Sequence, residues 1–231
     1  MYSEAGGITL WRGSQLGGRH TRVVVSGSPQ LDAGMPGGGW PRGALTELLV
    51  SGHGVGEMRL LRPALAAIAD RPVMLLQPPH RLQPAALAAW GLSAEHVRVL
   101  HAGKTADALW AAEQILRAGT TGALIFWQNH VRPESLRRLH LAAQTSDTLF
   151  FLIRPLAAAS DASTAPLRLA LRPVRDGVNV EFVKRRGPRR DDTLSVLLSP
   201  SPILNVNRNA SVDRRSPPAT VPRSVPAEVV A

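Results

Sequence analysis

Short strand-like runs recur along this chain at helix-sized intervals, and that alternation limits the fold more than anything else in the sequence. Ala44–Val50, Val73–Leu76, Val97–Leu100, Ala123–Trp127 and Thr148–Ile153 are each four to seven residues long. Most are apolar without polar alternation, as expected of strands buried on both faces. Between them lie segments with helical character: Leu60–Ile68, Pro84–Trp90, Thr105–Arg117 and Glu134–Gln144. In the third, Ala108, Leu109, Ala112, Ile115 and Leu116 fall on one face, Thr105 is placed to cap the start, and Gly119 stops the end. Pro63 falls inside the first and is expected to kink it or end it early. Leu167–Leu171 and Val178–Lys184 flank Asp176-Gly177 and read as a hairpin. The expected class is α/β, a mainly parallel sheet flanked by helices on both faces, with a C-terminal antiparallel hairpin.

Composition sets the outer limits. A chain of 231 residues with 44% hydrophobic content suits one globular domain plus tails. Residues 1–20 read as an N-terminal arm, 21–190 as the core, and 191–231 as a basic, mostly disordered tail in which Leu194–Leu198 is either a last strand or a docking segment. There is no cysteine, which excludes disulfides and cysteine-based zinc sites. No apolar run is long enough for a membrane span, and Met1–Gly7 lacks the features of a signal peptide, so a cytoplasmic location is expected. The net charge is +10, and half of it sits on residues 184–231. Such a surface suits an acidic partner or nucleic acid, and equally serves solubility alone.

Between the first strand and the first helix lies Ser51-Gly52-His53-Gly54-Val55-Gly56-Glu57-Met58. It has the place and spacing of a phosphate-binding loop, G-x-x-x-x-G-K-[ST]. Ser51 stands at the first glycine, Glu57 at the phosphate-binding lysine, and Met58 at the Mg²⁺-holding hydroxyl. Read alone, the segment is also an ordinary glycine-rich turn from strand to helix. The seven histidines show no ligand spacing, so no metal is expected, and no G-x-S-x-G motif occurs. Of the five tryptophans, Trp11 (beside Arg12) and Trp40 are the candidates for partner contact. Arg137 and Arg138 on the Glu134–Gln144 helix are either a contact surface or a solvated face. The densest basic cluster is Lys184-Arg185-Arg186 with Arg189-Arg190.

Ser26-Gly27-Ser28-Pro29-Gln30-Leu31-Asp32, then Gly37-Gly38-Gly39-Trp40-Pro41-Arg42-Gly43, then Thr46-Glu47-Leu48 resembles the entry to the RecA ATPase core. The resemblance extends over roughly residues 22–187. Within that fold, Leu10-Trp11-Arg12-Gly13, Asp107-Ala108-Leu109-Trp110-Ala111-Ala112-Glu113, Leu136-Arg137-Arg138-Leu139 and Lys184-Arg185-Arg186-Gly187 are similar to the ImuA family of translesion-synthesis accessory proteins. SulA-type division inhibitors share the central part but lack the entry and the hairpin.

The resemblance implies a RecA-like core. It places Gln77-Pro78-Pro79-His80 where the ATPases carry their general base, Trp127 at the Walker B aspartate, and Arg154-Pro155 at the polar sensor. With Glu57 and Met58, the expectation is a pseudo-ATPase without cofactor. It would act in damage-induced translesion synthesis by docking to an ImuB-like homologue of Y-family polymerases, through it to an error-prone replicative-type polymerase, and to RecA itself. The alternative is a division inhibitor that binds the tubulin-like division protein. The recombinase DNA-binding loops correspond to 128–133 and 154–168, and Ala157–Ala165 holds one acid and no base. Direct contact with DNA stays open.

Overall fold

The computed structural model describes residues 22–188 and 190–198. Trp11, Arg12, Arg189 and the tail beyond Leu198 lie outside them. The runs predicted as strands form β3 (Ala44–Val50), β4 (Val73–Leu76), β5 (Val97–Leu100), β6 (Ala123–Trp127) and β7 (Leu149–Pro155). β8 (Leu167–Val174) and β9 (Gly177–Lys184) make the expected hairpin, and β10 (Thr193–Leu197) pairs antiparallel with β9. One eight-stranded sheet results, in the order β10-β9-β8-β3-β7-β6-β4-β5, with β8 through β5 mutually parallel. β3 sits between β7 and β8, so the loop after it emerges near the middle of the sheet's C-terminal edge.

Helices cover both faces, as parallel strands require. On one face α2 (Glu57–Ala66) and α3 (Pro84–Ala89) pack over Leu48, Ile125, Trp127, Phe151 and Ile153. On the other, α4 (Thr105–Ala118) and α5 (Pro133–Ala143) pack over Leu45, Leu124, Phe126, Phe150 and Leu152. Odd and even residues of β6 and β7 thus part between two cores with the period of two that strands impose. Glu113 on α4 clamps the helices together, pairing with Arg117 at 2.7 Å and with Arg138 on α5. The Arg138 hydrogen bond holds the Glu113 carboxyl below its ordinary range.

Several local expectations are corrected. Helix α2 continues past Pro63 and ends at Ala66, two residues before the expected Ile68, and the Ala67 N–H bonds the proline carbonyl at 3.0 Å. The ring is seated against Gly27, where a Cβ would come within 2.7 Å of it. Thr105 is the first helical residue of α4, and the cap position falls to Lys104, with no side-chain bond to the turn. In the hairpin turn Asp176 takes the left-handed conformation (φ 61°). Gly177 is needed for close approach, since a Cβ there would lie 2.3 Å from the Val196 carbonyl oxygen of β10. Unforeseen were α1 (Pro29–Gly34), capped by Ser28, and the small ladder of β1 (Val23–Val24) with β2 (Trp40–Pro41). That ladder carries Trp40 into the core, fully buried and edge-on to Phe151 at 5.3 Å. The partner contact expected of Trp40 is therefore corrected to a packing role.

His140 on α5 accepts the Leu45 N–H through Nδ1 at 3.3 Å, which stitches the helix to the start of β3. Burial, then the charges of Arg186 and Lys184, lower its pKa below the ordinary value of 6.5. The folded state thus favours neutral imidazole, while the unfolded chain takes up a proton first as pH falls below that value. Stability contributed here is lost on acidification until the folded pKa is passed. The melting temperature is expected to drop between pH 7.5 and 5.5 by less in His140→Gln than in wild type; an equal drop contradicts this assignment.

Candidate functional site

Open α/β sheets bind ligands at the C-terminal edge of their strands, and the segment singled out in the sequence lies there. β3 ends at Val50, Ser51–Gly54 are exposed, and Gly54 (φ 77°) and Gly56 (φ 113°) turn the chain into α2. A loop of this kind aims backbone N–H groups at an anion in front of a helix N-terminus. The anion present is the chain's own. Glu57, the first residue of α2, is only 3% exposed. Its Oε1 accepts the Gly54 N–H and its Oε2 the Gly56 N–H, each at 3.1 Å. The helix dipole favours a carboxylate at this spot. Met58, the second residue of α2, packs against the core. The far end of β10 closes over the turn: Leu198 comes so near that a Cβ on Gly56 would lie 2.8 Å from its Cδ1. The Leu198 carbonyl accepts a hydrogen bond from Arg59.

Beside the loop is a cavity of about 360 Å³ lined by Met58, Leu82, Leu87, Trp90 and Trp127, with His80 at its wall. Trp127 ends β6, is nearly buried, and leaves its indole N–H without a hydrogen-bond partner. Gln77 follows β4 in a left-handed conformation (φ 57°). Its side chain donates to the Ala102 carbonyl at 2.6 Å and its backbone to Leu100 at 2.9 Å, so it fastens the end of β5. His80 faces His53 of the loop across 6.1 Å. Among the residues lining this cavity the one carboxylate is Glu57, already engaged by the loop. The space is therefore an apolar hollow beside a satisfied turn.

On the opposite face lies an ionic cluster that the sequence reading passed over. Glu47 of β3 is fully buried; its Oε2 accepts Arg168 Nε at 2.8 Å and lies 3.8 Å from Arg154 Nη1. Its Oε1 accepts the Ser163 hydroxyl at 2.5 Å. Arg168 spends its remaining donors on the carbonyls of Ala158, Ala159 and Asp161. Arg154, next to last in β7, pairs with Asp161 at 2.7 Å. The signal was present in the sequence: one carboxylate and two guanidinium groups inside otherwise apolar strands must find each other.

The remaining expected contacts scatter. Arg137 is exposed, whereas Arg138 is held by Glu113. Lys184 donates to the Ser163 carbonyl at 2.7 Å. Arg185 and Arg190 lie over the Phe182 ring at 5.9 and 5.7 Å, and Arg190 is paired with Asp192. Arg186 lines a cavity with Arg22 and Arg42. A contact candidate missed in the sequence is Trp110 on α4, 62% exposed. Among the described residues no helix is long and apolar enough to cross a membrane, and no three His, Asp or Glu side chains gather as a metal site. Neither the family models nor the curated proteins searched give a match to this chain.

If Glu57 is the anion of its own loop, Glu57→Ala removes the acceptor of the exposed Gly54 and half-buried Gly56 N–H groups, at a cost of about 1 kcal/mol. Denaturant unfolding should show that loss, and added sulfate should recover more of it in Glu57→Ala than in wild type. Equal stability of the two proteins, or no differential recovery, contradicts the role.

Proposed function

We propose that this chain is a non-catalytic adaptor with a RecA-like core, acting in DNA damage-induced translesion synthesis by docking to a polymerase-like partner. The observation that carries the reading is the engagement of Glu57 with the loop donors that a nucleotide phosphate would need. A triphosphate arriving there meets a buried carboxylate in place of a lysine, and breaking its bonds to Gly54 and Gly56 would precede any binding. The positions that resemblance assigns to the general base and the Walker B aspartate hold a stapling Gln77 and an indole. Neither activates water nor organises Mg²⁺.

What is left for such a scaffold is its surface. Trp110 offers a large exposed aromatic on α4, the helix whose sequence carries part of the ImuA-family resemblance. Exposed tryptophans are rare on a well-packed domain and frequent at the centre of interfaces. The partners this reading names are an ImuB-like Y-family polymerase homologue and, through it, an error-prone replicative-type polymerase, with RecA as a further partner.

Immobilised full-length chain should retain the ImuB-like protein, and Trp110→Ala should weaken that retention at least about tenfold, as removal of an interface anchor does. Retention of the tubulin-like division protein, with neither the ImuB-like protein nor RecA, would replace this reading with the division-inhibitor one.

A further inference from the structure

Three arginines meet in a cavity of about 360 Å³ at the N-terminal edge of the sheet, the edge opposite the glycine-rich loop. Ala44, which opens β3, and Leu167, which opens β8, line it from the sheet. Arg22 and Arg42 come from the small ladder. Val23 pairs with Pro41, and the Arg42 N–H donates to the Arg22 carbonyl at 2.9 Å, so the two arginines stand directly opposite each other. Arg186 joins them from the turn after β9, His140 from the last turn of α5, and Ser146 from the loop that follows it.

Like charges placed directly opposite across an antiparallel pair destabilise it unless an anion answers them. Asp147 answers Arg22 at 2.5 Å and is the one carboxylate lining the cavity. Half-buried Arg42 and exposed Arg186 have no side-chain partner among the described residues. The Ser146 hydroxyl accepts the Thr148 N–H at 3.3 Å and leaves its own proton without an acceptor among the described residues. The positive field reaches the cavity wall: after burial, the charges of Arg186 and Lys184 are what hold the His140 pKa down. The cavity is thus a gathering of donors that is short of acceptors.

We propose that this cavity seats a terminal phosphate, the dianionic group of a phosphate monoester. A carboxylate has two oxygens, which a single guanidinium fork uses up. A terminal phosphate has three free oxygens, enough to serve Arg42, Arg186 and the Ser146 hydroxyl together. Its charge, close to −2 at neutral pH, answers the two unmatched arginines. A phosphodiester inside a strand carries a single charge and two free oxygens, and matches this set less well. The volume exceeds that of a phosphate and falls in the range of small-ligand sites, which leaves room for the group that bears it. The inference stands apart from the adaptor reading, and neither Glu57 nor its loop takes part in it.

The full-length chain can be followed in a ¹⁵N spectrum while it is titrated, without Mg²⁺, with four phosphate probes. These are inorganic phosphate, thymidine 5′-monophosphate, and oligothymidylate bearing either a 5′-phosphate or a 5′-hydroxyl. A Glu-Ser repeat peptide supplies the carboxylate alternative. Inorganic phosphate should move the amide signals of Gly43, Ala44 and Ser146 with about millimolar affinity, far weaker than the binding a working nucleotide loop would show. Arg42→Ser and Arg186→Ser should each weaken it several-fold, and the double variant should abolish it. Arg175→Ser, in the exposed hairpin turn at the other edge of the sheet, should leave it unchanged. Arg186 is exposed, so its variant folds even if Arg42→Ser does not. A 5′-phosphorylated strand that binds more tightly than the mononucleotide makes a strand end the source, and equal affinities make it a free monoester. No movement of these signals, movement indifferent to Arg186→Ser, or the 5′-hydroxyl strand or the peptide moving them as strongly as phosphate would each overturn the seat. The adaptor reading would survive any of these results, since it depends on retention of the ImuB-like protein.

Discussion

A carboxylate at the centre of a parallel sheet has no water to solvate it, and the demand of Glu47 for compensation organises the middle of this protein. Glu47 lies on β3, with β7 and β8 on either side. Its oxygens draw in Arg168 from β8, Arg154 from β7 and Ser163 from the segment joining them. Arg168 in turn collects the carbonyls of Ala158, Ala159 and Asp161, which shapes that segment over the sheet. Breaking a buried pair of this kind typically costs about 3–5 kcal/mol, because the surviving charge is stranded. The cluster therefore fixes the join between the parallel strands and the antiparallel edge, and with it the start of the loop after β3.

That loop carries a second internal anion. Glu57 gives Gly54 and Gly56 the acceptor their geometry calls for, so the turn is complete without a ligand. The two carboxylates belong to one strand-loop-helix unit but serve opposite faces. Glu47 looks toward α4 and α5 and is held there by Arg168, Ser163 and, at 3.8 Å, Arg154. Glu57 looks toward α2 and α3, where Trp127 and Met58 line an apolar hollow.

The order of strands and helices was legible because each short apolar run and each helical face carries its own period. Local chemistry was less so. Pro63 reads as a helix breaker, but the ring finds its space against Gly27, a contact between segments far apart in sequence. Trp40, beside a glycine-rich turn, reads as exposed; the β1–β2 ladder that buries it is two residues long and has no periodicity to detect. At the site, the substitution of Glu57 for lysine was plain in the sequence. Its fold-back onto the loop was not, since that depends on the left-handed backbone at Gly54 and Gly56. Arg154 and Arg168 could have been paired with Glu47 on burial grounds alone, although which of them would bond it directly is decided by distances.

The basic cluster shows how net charge misleads when it is counted rather than located. Arg185 and Arg190 lie on Phe182, Arg190 is matched by Asp192, and Arg186 lines a cavity with Arg22 and Arg42. The central claim is that Glu57 fills its own loop. Its most direct test is isothermal titration of the full-length chain with Mg-ATP. The account predicts no saturable heat, and a Mg²⁺-dependent isotherm with micromolar affinity would contradict it.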